Sequence, residues 1–193
     1  MLKFYRLILI LALASTCATA QARTRGMIIN DDSVQLSYLT EANDVLPYRS
    51  RQGYSLIVAK ERDPRNLLLS TDAELLEFER PFMQTRTFSP KVGLAFTDYL
   101  DHTFLALSGG AILRQPPDKI RKYSLLAEFM AGPHLHDWSK SLEWTWSLRA
   151  QINYPLADDV EFNFGLRRIV MKLENRHRDS FETGLYIGLS SRY

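Results

Sequence analysis

The chain has 193 residues, of which 24 are Lys or Arg and 22 are Asp or Glu, so its formal net charge is +2. This length fits a single domain. So small an excess of positive charge gives no reason to expect nucleic acid or another polyanion as a partner.

The N-terminal residues have the composition of a secretory signal peptide. Basic residues precede an apolar run at 7–14 that is too short to span a membrane, and residues 18–20, Ala-Thr-Ala, provide a small-x-small cleavage site. We predict cleavage after Ala20, with Ala22 as the alternative site. Removal of residues 1–20 takes away two basic residues, no acidic residue and the only cysteine, which leaves 22 bases and 22 acids. A neutral, thiol-free chain excludes disulfides, thiolate metal sites and cysteine nucleophiles, and it suits an oxidising compartment.

Residues 21–52 are predicted to form an N-terminal leader outside the main domain. Residues 21–32 are polar, and residues 33–39 alternate between apolar and polar side chains, as a short strand does. Residues 40–52 have the composition of a loop, although 45–49 could form a brief strand that pairs with 33–39 as a hairpin.

Eight segments with period-two alternation follow, which is the pattern of β-strands with one apolar face. The clearest is 142–154, LEWTWSLRAQINY, in which every second residue from Leu142 is apolar and the intervening residues are polar. At about 3.3 Å per residue it is long enough to cross the hydrocarbon core of a bilayer obliquely. The segments are 53–60, 67–78, 91–100, 102–114, 123–130, 142–154, 160–173 and 181–193.

The stretches between these segments predict turns and loops. Residues 63–66 and 115–118 are rich in turn formers, prolines interrupt the pattern over 79–90, and residues 131–141 form a polar loop. Within the segment 160–173 the apolar phase slips by one at residues 167–168, which predicts a β-bulge.

We therefore predict an all-β fold, an antiparallel up-and-down transmembrane β-barrel of 8 to 10 strands, over residues 53–193. The count is ten if the hairpin at 33–49 joins the barrel. No later apolar run is long enough for a membrane helix, so any crossing must be made by strands. Counting back from the C-terminus puts the turns at 116–117 and 155–156 in the periplasm and the loops around His134 and Arg176 outside the cell. Short periplasmic turns and long extracellular loops are the pattern of outer-membrane barrels.

The polar face of the strands decides between a membrane barrel and a soluble one. It carries six acids and six bases, which could pair across the lumen if the apolar face contacts lipid. A soluble, lipocalin-like periplasmic barrel would instead have to pack Trp144, Trp146 and many leucines into a narrow lumen. The predicted lumen network comprises Asp72, Glu74, Glu128, Glu143, Glu161 and Glu182 with Lys91, Arg114, Arg149, Arg167, Lys172 and Arg192.

Two features near the C-terminus predict partners. The last strand ends on Tyr193, with Leu185, Ile187 and Leu189 in one phase, and it resembles the C-terminal signal read by the outer-membrane barrel assembly machinery. The charged loop before it contains Arg176, His177 and Arg178, whose charges suit lipopolysaccharide phosphates.

The segment from residue 123 to the end also resembles YfaZ-type outer-membrane proteins. The resemblance lies in Ala127-Glu128-Phe129 followed by Pro133, in Arg149, in Pro155-Leu156, in Val160-Glu161, in Gly165-Leu166-Arg167, in the charged loop at 175–179 and in the end at 184–190, together with Gly109-Gly110 further upstream. It implies a bacterial outer-membrane β-barrel and leaves the biochemical role undefined.

We expect an integral outer-membrane protein, monomeric, with a structural or surface-interaction role and a lumen largely filled by side chains. The alternatives are a narrow porin-like pore, a rim enzyme acting on lipids, and the soluble binding barrel. We expect no enzyme, because no nucleophile motif organises the serines at 108, 139, 141 and 180 with the histidines at 102, 134, 136 and 177. No cofactor or metal is expected either. His134 and His136 could point the same way and Asp137 could add an oxygen ligand, but the spacing fixes no third ligand for a metal site.

Overall fold

A computed structural model describes residues 22–31, 33–42, 50–59, 67–82, 86–99, 102–118, 120–137, 142–173 and 179–192, and these form a closed antiparallel barrel. Its elements are β1 Ala22–Asn30, β2 Ser33–Ala42, β3 Ser50–Ala59, β4 Leu67–Leu75, the 3-10 helix Leu76–Phe78, β5 Arg80–Phe82, β6 Arg86–Tyr99, β7 His102–Gln115, β8 Ser124–Asp137, β9 Leu142–Pro155, β10 Val160–Leu173 and β11 Asp179–Arg192. The predicted all-β, up-and-down barrel is confirmed.

Ten strands form the wall. Each pairs with its neighbours in sequence, β4 pairs directly with β6, and β1 pairs with β11 to close the ring. The three-residue β5 pairs with β6 at one edge and lies outside the ring. Closure leaves no wall strand with an unpaired edge along its full length, which satisfies the backbone groups without any other element.

The two ends of the barrel differ in what they carry. We call one end the terminus end. It carries the first strand residue, Ala22, and the last strand residue, Arg192, together with the connections 116–123 and 156–159. At the other end, which we call the loop end, lie the connections β1–β2, β3–β4, β6–β7, β8–β9 and β10–β11. Both chain ends lie at one end because the number of wall strands is even.

The predicted N-terminal leader is wrong. Residues 22–30 form β1, which pairs with β2 on one side and with β11 on the other, so they complete the barrel instead of preceding it. The tenth wall strand is therefore β1. The brief strand predicted at 45–49 and the predicted signal peptide lie outside the described residues. The sequence of β1 has no period-two alternation and only three consecutive apolar residues, Met27 to Ile29, which is too short a run to show a strand.

Several strands are longer than their sequence pattern predicts. β8 continues to Asp137 through residues taken as a loop, and β6 begins at Arg86, so that it contains Pro90. Pro90 lies one residue beyond the last β4–β6 pair, Glu74 with Lys91, where β6 has a free edge that tolerates a missing N–H.

The predicted contrast of short and long connections is also wrong. Strand bounds leave two to seven residues between neighbours at the loop end, and four to ten at the terminus end. The extension of β8 shortens the β8–β9 connection to residues 138–141, which removes the long loop expected around His134.

The predicted bulge at residues 167–168 does not occur. Arg167 and Arg168 pair in regular register with Arg149 and Leu148 of β9, and the β10–β11 register shifts only after Ile169. Ile169 and Met171 therefore share the inward phase of Arg167, where both are buried. They were expected on the outer face because the sequence does not show whether an apolar residue of a strand faces lipid or packs inside the lumen.

The outer face of the wall is apolar. Large apolar side chains there are between 37% and 65% exposed, where a soluble protein would carry polar groups. They include Met27, Ile29, Leu36, Val58, Val92, Leu94, Leu107, Phe129, Leu148, Ile152, Phe164, Leu166, Leu185, Ile187 and Leu189. We call this surface the apolar belt. In the described part of the chain, no helix is long and apolar enough to span a membrane.

Candidate functional site

The lumen contains a cavity of about 1130 Å³ that is lined by inward residues from around the wall. It extends from Pro116, Pro155 and Asp158 at the terminus end to Phe104 and Met171 near the loop end. The lumen is therefore filled by side chains only in part, and the cavity is its candidate functional site.

Apolar side chains occupy the lumen near the loop end. They come from β3, β4, β7, β10 and β11, on opposite walls of the barrel, and none is more than 7% exposed. We call this cluster the apolar plug; it comprises Ile57, Leu68, Phe104, Ala106, Ile169, Met171 and Phe181. These buried apolar side chains disfavour water and ions in the part of the lumen that they occupy.

Charged groups lie between the apolar plug and the terminus end. Glu74 is 2% exposed and accepts hydrogen bonds from Arg51, at 3.2 Å, and from Arg114. Three charges form a neighbouring group, in which Lys91 Nζ lies 2.9 Å from Asp72 and 3.0 Å from Glu128. Each carboxylate thus has a cation within hydrogen-bond distance, which offsets much of the cost of removing it from bulk water.

One buried ion pair, joined by several hydrogen bonds, connects Arg167 of β10 to Glu182 of β11. Arg167 donates from Nε and Nη2 to Oε1 of Glu182, at 2.8 and 2.6 Å, and from Nη2 to Oε2 at 2.8 Å. Asn30 adds a bond of 2.7 Å from Nδ2 to Oε1, and Gln35 accepts from Arg167 Nη1. This network links β10 and β11 to β1 and β2, so it fastens the barrel where the first and last strands meet.

Arg149 differs from the other inward cations. Among the described residues, no carboxylate lies within ion-pair distance of it; its guanidinium donates to the side chain of Gln151 and, at 3.0 Å, to the hydroxyl of Tyr186. Both Arg149 and Arg167 lie 5.8 Å from the centre of the Tyr186 ring. Tyr186 donates in turn to Gln151 Oε1 at 2.8 Å, so that neutral groups hold this cation.

Two of the twelve predicted network residues lie at the exposed loop end instead of in the lumen cavity, and two more lie at its mouth. Lys172 and Glu143 form a pair at the loop end with 38% and 40% exposed side chains, and neither lines the cavity. Lys172 shares the outward phase of Arg168 because β10 keeps its phase through Arg168. Glu143 shares the inward phase of Arg149 on β9 but lies at the loop-end rim, where it pairs with Lys172. Arg192 and Glu161 pair at 2.7 Å at the mouth of the terminus end, where Arg192 is 65% exposed.

Several residues of the network were not predicted from the sequence. Arg51 lies in the stretch predicted as a loop, and Asn30 lies at the end of the predicted leader. Gln35, Gln151 and Tyr186 carry no formal charge, so a search for ionic residues passed over them. The inward phase of their strands is the signal that could have identified them, once β1 was recognised as part of the wall.

The described residues that were considered for metal binding and catalysis do not lie together. His134 is exposed on β8, and Ser108 is half-buried in the lumen, where its hydroxyl donates to Gly93 O at 3.4 Å. The side chains at 102, 136 and 137, and residues 139, 141 and 177, lie outside the described part, as does the side chain of Ser180. Within that part, no three His, Cys, Asp or Glu side chains are grouped as metal ligands.

The predicted partner sites are described only in part. Leu185, Ile187 and Leu189 of the assembly signal are exposed on the outer face of β11, in one phase. Tyr193 and the predicted lipopolysaccharide contacts Arg176, His177 and Arg178 lie outside the described residues.

The connection 116–123 at the terminus end has its own polar structure. Asp118 accepts hydrogen bonds from the backbone N–H groups of Arg121, at 2.7 Å, and Ile120, at 2.9 Å, and from the Arg121 guanidinium. These bonds, those from Arg121 first, lower the pKa of Asp118 from 3.8 to about 2. The same contact raises the pKa of Arg121.

No family model matches the chain, and no curated protein matches it. Among solved structures, the chain is similar to one described as "KdgM porin", with 8% identity and a TM-score of 0.46, over 90% of this chain and 99% of that chain. It is also similar to a chain in a structure described as "Unveiling the Mechanism Behind the in-meso Crystallization of Membrane Proteins", with 12% identity and a TM-score of 0.38, over 90% of this chain and 83% of that one. Both TM-scores lie below 0.5, so neither likeness supports a functional argument.

Proposed function

We propose that the protein is a small integral outer-membrane β-barrel with a structural or surface-interaction role, closed to solutes by its own side chains. One observation carries the proposal: the outer face of the wall is apolar and the inner face holds ion pairs. In water this arrangement would expose a continuous apolar surface far larger than monomeric soluble proteins tolerate. In a bilayer the same belt contacts acyl chains, and the closed wall satisfies the backbone.

The dimensions of the apolar belt support a membrane-spanning position. Tyr154 and Trp146 lie eight residues apart on the outer face of β9. At about 3.3 Å per residue and a tilt of about 40°, this separation corresponds to about 20 Å along the membrane normal. The apolar band of outer-membrane barrels is about 25 Å tall, with aromatic residues at its edges.

The two ends are proposed to face different compartments. The terminus end faces the periplasm, because a chain exported by a signal peptide and inserted from the periplasm leaves both ends there when its strand number is even. The loop end then faces the outside. The proposed partners are outer-membrane lipids, with lipopolysaccharide among them, and the barrel assembly machinery during insertion; we propose a monomer and no enzymatic step.

Fractionation and heat modifiability test this proposal together. The protein should co-fractionate with outer membranes, and the unboiled protein should migrate on an SDS gel as a compact species that shifts on boiling. Detergent-free release into the periplasmic fraction would contradict the proposal and favour the soluble binding barrel. Altered lipid A by mass spectrometry in a strain lacking the protein would favour the rim enzyme.

A narrow pore is the second candidate, and the cavity of about 1130 Å³ favours it. The cavity extends from the terminus end past the ion pairs of Glu74 and Lys91 as far as residues of the apolar plug. Planar-bilayer recording of the purified protein distinguishes the candidates: the closed barrel gives no unitary conductance, and a pore gives steps that scale with salt concentration.

Membership of the YfaZ-type family is a finer proposal. It is supported by the motifs in β7 to β11. In Gly165-Leu166-Arg167, Gly165 leaves room for the Tyr186 phenol and Arg167 pairs with Glu182 in the lumen.

A further inference from the structure

Arg168 is a cation on the outer face of the barrel. It shares the outward phase of β10 with Phe164 and Leu166, and its cross-strand neighbours are Leu148 on β9 and Thr183 on β11. The exposed apolar residues of β10 and β11 end at this level. On β10 Arg168 comes after Leu166, and the next outward residue, Val170, is buried. On β11 Thr183 lies one outward position nearer the loop end than Leu185. Arg168 therefore lies at the loop-end edge of the apolar belt.

Trp146 holds the guanidinium of Arg168 in place. The central carbon of the guanidinium lies 5.5 Å from the Trp146 ring centroid, a distance typical of a cation–π contact. Trp146 is itself a residue type enriched at the membrane interface. The contact holds the arginine against the outer surface, where the residue is exposed.

The chain does not supply that partner in its described part. No carboxylate there forms an ion pair or hydrogen bond with Arg168, whereas the nearby outward cation, Lys172, is paired with Glu143. An arginine at the edge of a lipid-facing surface is costly unless it reaches water or an anionic group. Lipid headgroups provide phosphates at this depth, and guanidinium binds phosphate through two parallel hydrogen bonds.

We propose that Arg168 and Trp146 form a binding site for a lipid A phosphate of lipopolysaccharide. The proposal rests on the proposed function, in which the loop end faces outward and the surrounding leaflet contains lipopolysaccharide. Trp146 packs against the sugar and acyl region, and Arg168 donates to a phosphate oxygen. The site differs from the charged loop at 176–178, which is the contact suggested by sequence.

Native mass spectrometry of the detergent-solubilised protein tests the site with two probes, diphosphorylated lipid A and chemically dephosphorylated lipid A. The wild-type protein should bind the phosphorylated probe about tenfold more tightly, which is the effect of one charge-assisted hydrogen-bonding pair. Arg168→Gln should abolish this preference. Arg192→Gln, which removes an exposed arginine at the terminus end, is the matched control and should retain it.

Heat modifiability of each variant is measured in parallel. Equal preference in Arg168→Gln and wild type, absence of any preference in wild type, or equal binding of phosphatidylglycerol would each overturn the lipid A site while leaving the barrel intact. A wild-type protein that shows no shift on boiling would instead overturn the proposed function, and the lipid site with it.

Discussion

Gly165 and Tyr186 lie directly opposite each other on β10 and β11, and the absent side chain of Gly165 leaves the space that the Tyr186 phenol occupies. A Cβ at position 165 would lie 2.6 Å from the Tyr186 hydroxyl oxygen, closer than such atoms approach. The hydroxyl bonds to Arg149 and Gln151, so a glycine on one strand determines how a cation on the next is held.

Gly165→Ala should destabilise the barrel by about 1–3 kcal/mol, because the new methyl group meets the backbone oxygen of Ala150 and also forces Tyr186 away from Arg149 and Gln151. The midpoint of the heat-induced shift on an SDS gel measures the effect. Gly109→Ala is the matched control, since a Cβ there meets no atom within 4 Å. Equal midpoints for the two variants would contradict the proposed steric role of Gly165.

Glu182→Gln should be far more damaging than Glu161→Gln. Glu182 neutralises Arg167 inside the barrel, and removal of its charge leaves a buried guanidinium unpaired, at a cost of about 3–5 kcal/mol. Glu161 pairs with the exposed Arg192, so its loss should cost less than about 1 kcal/mol. Urea titration of the folded fraction in detergent compares the variants, and a cost at Glu182 no larger than at Glu161 would show that the buried pair is dispensable.

Replacement of Phe104 and Met171 together by alanine should open the apolar plug. Both side chains are 1% exposed or less and line the cavity, so their truncation joins the cavity to the loop end. Planar-bilayer recording should detect unitary conductance in this double variant and none in wild type. The matched control is Leu107→Ala with Phe129→Ala, two outward residues of the apolar belt. A silent plug variant that still shifts on heating would mean that another layer closes the lumen.

The carboxyl group of Asp118 should titrate near pH 2. Its pKa is lowered from 3.8 by hydrogen bonds to its ionised form, so their stabilising contribution is complete above pH 3.8 and is lost as the pH falls through about 2. Carbon-13 NMR of the side-chain carboxyl in micelles measures the pKa directly. Arg121→Gln should raise it toward 3.8, and an unchanged value would assign the shift to the backbone donors alone.

Period-two alternation by itself determined that the chain is all-β, that β6 to β11 carry one apolar and one polar face, and that most of the ionic residues share the inner face. Alternation is a local property: successive side chains of a strand point to opposite sides whatever the strand packs against. The stretch 142–154 could therefore be recognised without any partner, and β9 is observed at Leu142–Pro155.

Only the tertiary structure decided which residues meet. The pairing of Arg167 with Glu182, the hydrogen bonds of Arg149 to Gln151 and Tyr186, and the inward position of Ile169 and Met171 depend on register and on which walls face each other. β1 could not be recognised because closure, and not its own pattern, makes it a strand. Side chains far apart in sequence meet across the lumen through the stagger of ten strands, and no local pattern encodes that stagger.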